Sequence, residues 1–305
     1  MSKILVLLAA YNGEKYIAKQ IESILKQTYR PEKILVSIDC SDDKSLNIVK
    51  SYQNEFPCIE IFGSKVTYGS AAANFLKMLS TVDFSKYDFV ALADQDDIWK
   101  NNKLSQAEKI LKLGYDGYSS NVEAFWPNGK KKIILKNQGQ KKYDHFFESA
   151  GPGCTFVLSK KLVTSFQKYI KKSEFLKINN YHDWLIYAFA RSNDFNWVID
   201  NYIGLNYRQH ESNVFGANVG VRAFFSRALK VIQGEGFHFA FKLISELNKK
   251  DKFLSSLLPI RRFSFILLAF NALTCRRRFR DGLIFFIACL ILAFIFPRKL
   301  INGLS

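Results

Sequence analysis

Residues 4–29 read ILVLLAAYNGEKYIAKQIESILKQTY, and the fold turns on how this stretch divides. Ile4 to Ala9 is an apolar run of strand length, and Tyr11-Asn12-Gly13 closes it with turn formers. From Glu14 to Gln27 the apolar positions take helical spacing, so that Ile17, Ile21, Ile24 and Leu25 share one face. The same alternation recurs downstream. Strand-like runs at 33–38, 59–62 and 89–93 are each followed by helical patterns, at 44–55, 71–81 and 103–113. Continuous apolar strands between amphipathic helices predict an α/β fold with a mostly parallel central sheet covered on both faces. Right-handed crossovers then gather the strand-to-helix loops at the carboxyl edge, where open α/β sheets bind ligands.

The first apolar run is too short for a secretory signal, and Tyr11-Asn12-Gly13-Glu14 stands where a cleavage region would be. It reads as a buried first strand. The 305 residues are 48% hydrophobic, which excludes a disordered chain, and six prolines with sixteen glycines exclude a collagen-like one. A mean hydropathy of -0.06 argues against a polytopic membrane protein. Five widely spaced cysteines, an odd number without a CxxC pair, argue against a disulfide framework or a cysteine zinc site and for a reducing compartment. The net charge of +17 calls for an anionic partner: nucleic acid, phospholipid or a phosphorylated substrate.

That charge is unevenly spread. Residues 222–305 hold fifteen Lys and Arg against four Asp and Glu. Two apolar segments, 263–275 and 282–296, lie there between Arg261-Arg262, Arg276-Arg277-Arg278 with Arg280, and Arg298-Lys299. A helix of fifteen residues reaches ~22 Å, short of a hydrocarbon core of about 30 Å. A transmembrane hairpin would also push the arginine-rich loop to the far side, against the positive-inside tendency. Region 260–299 is therefore expected to lie in or dip into the cytoplasmic leaflet of a cell membrane, with Arg and Lys on anionic headgroups. One short span, or burial in the protein or in an oligomer, are the alternatives. Phe224, Phe225, Leu229, Phe237, Phe241 and Leu243, on helices expected within 219–250, would pack the tail against the preceding domain. With the charge beside membrane-like runs and no nucleic-acid module visible, nucleic acid is not an expected partner.

The carboxyl-edge geometry predicts a site built from the residues that follow each strand. Ala10-Tyr11-Asn12-Gly13 follows the first, Asp39-Cys40-Ser41-Asp42-Asp43 the second and Asp94-Gln95-Asp96-Asp97 the fourth. Crowded carboxylates repel one another, and Mg2+ or Mn2+ would relieve them while bridging to a diphosphate. The plainer reading makes Asp42, Asp43 and Asp97 helix N-caps. No GxGxxG follows the first strand and no GxxxxGK[ST] occurs, so the common dinucleotide and P-loop cradles are absent.

AAYNGEKYIAKQIESILKQTY, IDCSDDKS and LADQDDIW, in that order, resemble the inverting family 2 glycosyltransferases of the GT-A fold. Gly153-Cys154-Thr155, His182-Asp183-Trp184, and Tyr207-Arg208-Gln209-His210 with Asn213 and Gly216 extend the resemblance, most closely to the bacterial rhamnosyltransferase-like branch. It covers residues 3–216, which implies a catalytic domain over 1–216 and a helical, basic and apolar membrane-associating region over 217–305. The resemblance implies a nucleotide-sugar site of Ala9, Tyr11, Asp39, Asp94, Gln95, Asp96, Arg208 and His210. Tyr11 would stack on the base and Asp39 would accept its imino N–H, selecting uracil or thymine. Asp96, with Asp94 and His210, would hold the metal. Arg208 and His210 would close over the diphosphate. Asp183 would be the general base of a single displacement, with His182 its rival and helix capping its plainer role. The family's usual pair of aspartates after the second strand is Ile38-Asp39 here, which leaves the register around Cys40 open.

The implied activity is transfer of a sugar, first of all rhamnose from dTDP-rhamnose, onto a lipid-linked or polysaccharide acceptor in bacterial surface-polysaccharide synthesis. A UDP-hexose donor is one alternative. A non-catalytic membrane-bound scaffold is another, favoured only by Ile38. The lysine-rich stretch 129–142 reads as a solvated hairpin or as a contact for a pyrophosphate-bearing acceptor, and a homo-oligomer is compatible with the sequence.

Overall fold

The computed structural model describes residues 1–63, 66–173, 181–210, 236–248 and 250–295. Its strands are β1 (Ile4–Ala10), β2 (Lys33–Ile38), β3 (Ile59–Ile61), β4 (Phe89–Asp94), β5 (Ile98–Trp99), β6 (Gly117–Phe125), β7 (Lys131–Ile134), β8 (Val157–Ser159) and β9 (Trp197–Arg208). The helices that interleave them are α1 (Ile17–Leu25), α2 (Ser45–Glu55), α3 (Ala71–Thr81), α4 (Lys103–Leu111), α5 (Asp144–Phe147), α6 (Lys160–Ile170) and α7 (His182–Ser192). Among the described residues, five further helices follow: α8 (Phe237–Leu247), α9 (Lys252–Ser256), α10 (Arg262–Phe270), α11 (Ala272–Cys275) and α12 (Phe279–Ile295). The expected helix residues Phe224, Phe225 and Leu229, the Asn213 and Gly216 positions, the 216/217 boundary and Phe296, Arg298 and Lys299 lie outside the described residues.

One sheet runs in the order β3-β2-β1-β4-β8-β6-β9-β5, with β7 on the edge of β6. The first four strands are parallel, as the apolar runs predict, and every residue of β1 is buried. α1 lays Ile17, Ile21 and Ile24 against them, each fully buried and each contributing about 1.5–3 kcal/mol. The far half is mixed rather than parallel. β8 is antiparallel to both β4 and β6, and β9 is parallel to β6. Two reversals restore the original direction, so β9 ends at Arg208 on the same edge where β1 and β4 end at Ala10 and Asp94.

The chain divides into two compact units: Met1–Asn137, Ala150–Ile186 and Asp194–Asn213 form one, and Gln138–Ser149, Tyr187–Asn193 and Val214–Ser305 the other. In the first unit, β6 and β7 form a hairpin through Trp126–Lys130, which exposes Lys130, Lys131 and Lys132.

In the second unit, Phe237 and Phe241 of α8 pack on Phe265 of α10, and Phe237 also stacks on Phe285 of α12 at 5.4 Å. A buried polar cluster corrects one expectation. Arg277, expected on lipid headgroups, is buried: it donates to Asp144 at 3.2 Å and to the Ser149 carbonyl at 2.7 Å, while its backbone N–H donates to Glu148 at 2.6 Å. Arg276 donates to the Phe147 carbonyl at 2.8 Å. A guanidinium's fork of donors suits such a set of carboxylates and carbonyls better than a lone headgroup would. Asp144 also accepts from Tyr187 at 2.8 Å and Arg191 at 3.3 Å. Burial opposes its charge, yet His145, Arg277 and Arg191 hold its carboxyl below the usual carboxylate range. All five cysteines are free thiols.

Candidate active site

The loop after β1 is locked to the loop after β4. The Tyr11 N–H donates to Gln95 Oε1 at 2.8 Å, and Gln95 Nε2 returns a bond to the Tyr11 carbonyl at 2.7 Å. Gly13 permits the approach, because a Cβ there would collide with the Gln95 side-chain carbonyl. Gln95 thus holds the backbone of the first loop, while the Tyr11 ring stands 55% exposed at the edge. Asn12 adopts φ 47°, its N–H donates to Ser41 at 3.1 Å, and its side chain accepts from the Asp42 N–H at 3.1 Å. Asp43 accepts from the N–H of Glu14 and of Ser45, at 2.8 and 2.9 Å. It therefore turns the chain into α2 from just before the N-cap, Lys44, which makes no side-chain cap.

Asp39 is buried beside β2, where it bridges to Val66. Its Oδ1 accepts the N–H groups of Cys40 and Tyr68, both at 2.8 Å, and its Oδ2 accepts that of Gly69 at 3.0 Å. The carboxylate assigned by resemblance to base reading here ties down the segment leading into α3, whose N-cap Ser70 accepts from the Ala73 N–H. Ile38 is buried in the core and Cys40 is exposed. Ala9 is a buried β1 residue in register with Asp94.

Asp97 does not cap a helix. The short strand β5 separates it from α4, and it is fully buried, accepting the Arg208 N–H at 3.2 Å. Oxygens of Asp94 and Asp97 and the Cys154 sulfur lie within 4.8 Å of one another. Burial, then the charges of Asp97 and Asp94, pushes the Cys154 thiol up, so it donates a proton there rather than a thiolate. Burial, with Asp96 and then Asp183 adding like charge, pushes Asp94 up to about 7. Lys103 is fully buried nearby, its Nζ 3.4 Å from the centroid of the Trp99 ring, and burial lowers it to about 7. Asp97 belongs to the carboxylates expected at this edge, although its plainer reading was a helix N-cap, whereas Cys154 and Lys103 had no expected role in the site. Cys154 lies within the Gly153-Cys154-Thr155 motif, and Lys103 looks like any lysine in the first turn of a helix.

Gly153 and His182-Asp183 are brought into contact. A Cβ on Gly153 would lie 2.5 Å from His182 Nε2 and 3.3 Å from the Asp183 Cβ, so glycine is what lets the two motifs approach. His182 stacks on Phe75 at 4.5 Å, and burial lowers its basicity. That environment keeps the ring neutral and packed. Asp183 stands in the first turn of α7, where its Oδ1 accepts the N–H of Trp184 at 2.8 Å, and its charge reaches Asp94.

The end of β9 folds over the DxD segment. Arg208 Nε donates to the Asp96 carbonyl at 2.7 Å, and His210 Nε2 lies 2.8 Å from Asp96 Oδ2. The Asp96 carboxylate and the His210 imidazole, in contact at 2.8 Å, are donor types suited to Mg2+ or Mn2+, whereas Asp94 is raised first by burial and then by the like charge of Asp96 and Asp183. The Asp94–Asp97–Cys154 group suits a cation less, because burial holds its thiol in the protonated form.

The sequence profile of Glycosyl transferase family 2 matches residues 5–163. The chain is 36% identical to dTDP-rhamnosyl transferase RfbG of Shigella flexneri over 284 residues, 90% of this chain and 96% of that one. It is 28% identical over 218 residues to the Escherichia coli UDP-Glc:alpha-D-GlcNAc-diphosphoundecaprenol beta-1,3-glucosyltransferase WfgD, 68% of this chain and 78% of that one. Residues 1–349 of Staphylococcus aureus TarS, solved with UDP-GlcNAc, superpose with a TM-score of 0.56 at 14% identity, covering 99% of this chain and 91% of that one. The mannosyltransferase PcManGT of Pyrobaculum calidifontis, solved with GDP-Man and Mn2+, gives 0.55 at 12% identity, with 96% and 87% covered. These last two likenesses establish the GT-A fold. The chain is a glycosyltransferase and belongs to glycosyl transferase family 2.

Proposed function

We propose that the protein is a metal-dependent, inverting transferase that moves rhamnose from dTDP-rhamnose onto a lipid-linked saccharide in bacterial surface-polysaccharide synthesis. The observation that carries this reading is the convergence of Asp94 and Asp96, Asp183, and Arg208 with His210 on one sheet edge beside an exposed Tyr11. The donor follows the kinship to RfbG, and the acceptor follows the diphosphoundecaprenol acceptor in the name of WfgD.

Tyr11 offers a free aromatic face to the nucleobase. Asp39 and Ala9 form the floor of that end, and Asp39 Oδ2, which carries one backbone bond, accepts the imino N–H of thymine or uracil. Gln95 holds the loop that presents Tyr11. Asp94, Asp96 and His210 would hold Mg2+ or Mn2+, and the cation would supply positive charge to the departing diphosphate. Arg208 supplies further positive charge to the same group. Asp183 takes the proton of the acceptor hydroxyl as its oxygen attacks the anomeric carbon from the face opposite the nucleotide. The bond to the diphosphate oxygen breaks in the same step, and its electron pair leaves with the nucleotide.

The second unit provides the contact with the cytoplasmic face of the membrane. α10 and α12 bury one side and expose the other: Phe263, Ile266 and Phe270 line one helix, and Leu283, Ile287, Leu290 and Phe294 the other. Phe270 and Phe294 are 79% and 82% exposed, and Arg261, Arg262 and Arg280 stand exposed around them. Apolar surface of this kind on a soluble monomer marks an interaction site, and a basic rim suits anionic headgroups. Among the described residues, no helix is long and apolar enough to cross a membrane. α12 reaches ~26 Å.

The experiment is a transfer assay with dTDP-rhamnose and a lipid-linked acceptor, with Mn2+ added or chelated, on the wild type and Asp96→Ala. Transfer that needs the metal and is lost in Asp96→Ala supports the reading. Transfer unaffected by chelation refutes the metal dependence.

A further inference from the structure

We propose that Tyr16 is a positioning residue for the diphosphate end of the donor site, acting through Arg208 and His210; this rests on the reading above that those two groups meet the diphosphate. Tyr16 is the half-buried residue immediately before α1, in the first strand-to-helix loop. Its ring centroid lies 4.6 Å from the guanidinium carbon of Arg208, and that carbon is also 4.6 Å from the Phe125 ring. The same Tyr16 ring stacks on His210, with centroids 5.2 Å apart and an interplanar angle of 22°. One aromatic side chain from the start of the chain thus touches both cationic or metal-binding groups that close the site from its other end.

The physical case is one of preorganisation. An arginine and a histidine that must meet a diphosphate lose side-chain freedom on binding unless something already orders them. The face of a tyrosine attracts a guanidinium through its quadrupole and stacks with an imidazole. Arg208 Nε is meanwhile committed to the Asp96 carbonyl and His210 Nε2 to the Asp96 carboxylate. Polar bonds fix where each group is anchored, and the tyrosine face fixes the plane it keeps. Tyr16 shares its loop with Tyr11, so the element that presents the base-stacking ring also orders the diphosphate-binding groups.

The test is calorimetric titration, with Mn2+ present, of the nucleoside diphosphate the wild type binds (dTDP or UDP) and of its monophosphate. Tyr16→Leu, Tyr16→Phe, Arg208→Ala and the Tyr16→Leu/Arg208→Ala pair are compared. Tyr16→Leu should weaken the diphosphate roughly 3- to 30-fold, the range of a cation–π contact, and leave the monophosphate unchanged. Tyr16→Phe, which keeps the ring, should bind both as the wild type does. The double variant should bind more weakly than Arg208→Ala by less than the full Tyr16→Leu loss, because only the His210 contact is left to lose. If Tyr16→Leu does not fold, Tyr16→Gln carries the same comparison. Equal weakening of both nucleotides, or a Tyr16 loss that adds in full to that of Arg208→Ala, overturns the proposal. A loss in Arg208→Ala with none in Tyr16→Leu overturns the role of Tyr16 alone. Unchanged diphosphate binding in Arg208→Ala overturns the underlying reading of Arg208 as well.

Discussion

Replacing Asp183 by asparagine removes one charge and disturbs little else. Asparagine keeps a carbonyl oxygen that can accept the Trp184 N–H, as Asp183 Oδ1 does at 2.8 Å, and it keeps the Cβ that packs close to Gly153. His182, half-buried and stacked on Phe75, stays where it is. What asparagine cannot do is take a proton from the acceptor hydroxyl. A positioned general base contributes about 10²- to 10⁴-fold, or roughly 2.7–5.4 kcal/mol of barrier. Turnover of Asp183→Asn should therefore fall by about that factor. Donor affinity, read by calorimetry with the intact nucleotide sugar, should stay at the wild-type value, and so should the melting temperature. His182 does not compensate, because burial depresses its basicity and its ring is packed. Turnover within threefold of wild type would refute Asp183 as the base. A matching loss of donor affinity would show that Asp183 holds the donor instead.

Gly153→Ala puts a methyl 2.5 Å from His182 Nε2, an overpacking that should cost about 1–3 kcal/mol and lower both melting temperature and turnover; unchanged values would mean the two motifs are not in contact. Arg277→Met leaves buried Asp144 without one of its guanidinium partners, and chemical denaturation should register a loss of about 3–5 kcal/mol. Because Asp144 is held below the usual carboxylate range, its stabilising contribution is complete above its unfolded pKa of about 3.9 and is lost as the pH falls through the folded value. Acid unfolding of Asp144→Asn should accordingly be less steep below pH ~4 than that of the wild type, and identical profiles would contradict the pairing. Phe270→Asp with Phe294→Asp should abolish flotation with anionic phospholipid vesicles and leave nucleotide binding intact; flotation like that of the wild type would move the membrane contact elsewhere.

Strands β1, β2 and β4 were legible because they are buried on both faces and so carry nearly continuous apolar runs. β6 was not, since GYSSNVEAF reads as polar, yet the sheet buries Ser119, Ser120 and Asn121, and partners far along the chain satisfy Ser119 and Asn121. Trp197 Nε1 donates to Ser119 at 3.1 Å, and Asn121 donates to the Asn201 carbonyl at 2.9 Å. Local pattern cannot foresee partners that far along the chain. The same limit explains Asp97, whose position before a helical pattern suggested a cap, although its partner is the N–H of Arg208 at the end of β9. The DxD, HDW and YRQH stretches were legible as motifs, whereas the Tyr16 ring that orders two of their side chains had no signal beyond an ordinary helix start. Region 260–299 showed its apolar runs plainly, but which arginines face outward depended on Asp144 and Glu148, acids in a distant segment.

The donor assignment is tested most directly by a panel of nucleotide sugars, each supplied with Mn2+ and a lipid-linked acceptor, with product anomeric configuration read by NMR. Transfer from dTDP-rhamnose with inversion, absent in Asp96→Ala and reduced about 10²- to 10⁴-fold in Asp183→Asn, is the expected result. Transfer with retention, or turnover in Asp96→Ala equal to that of the wild type, would contradict it.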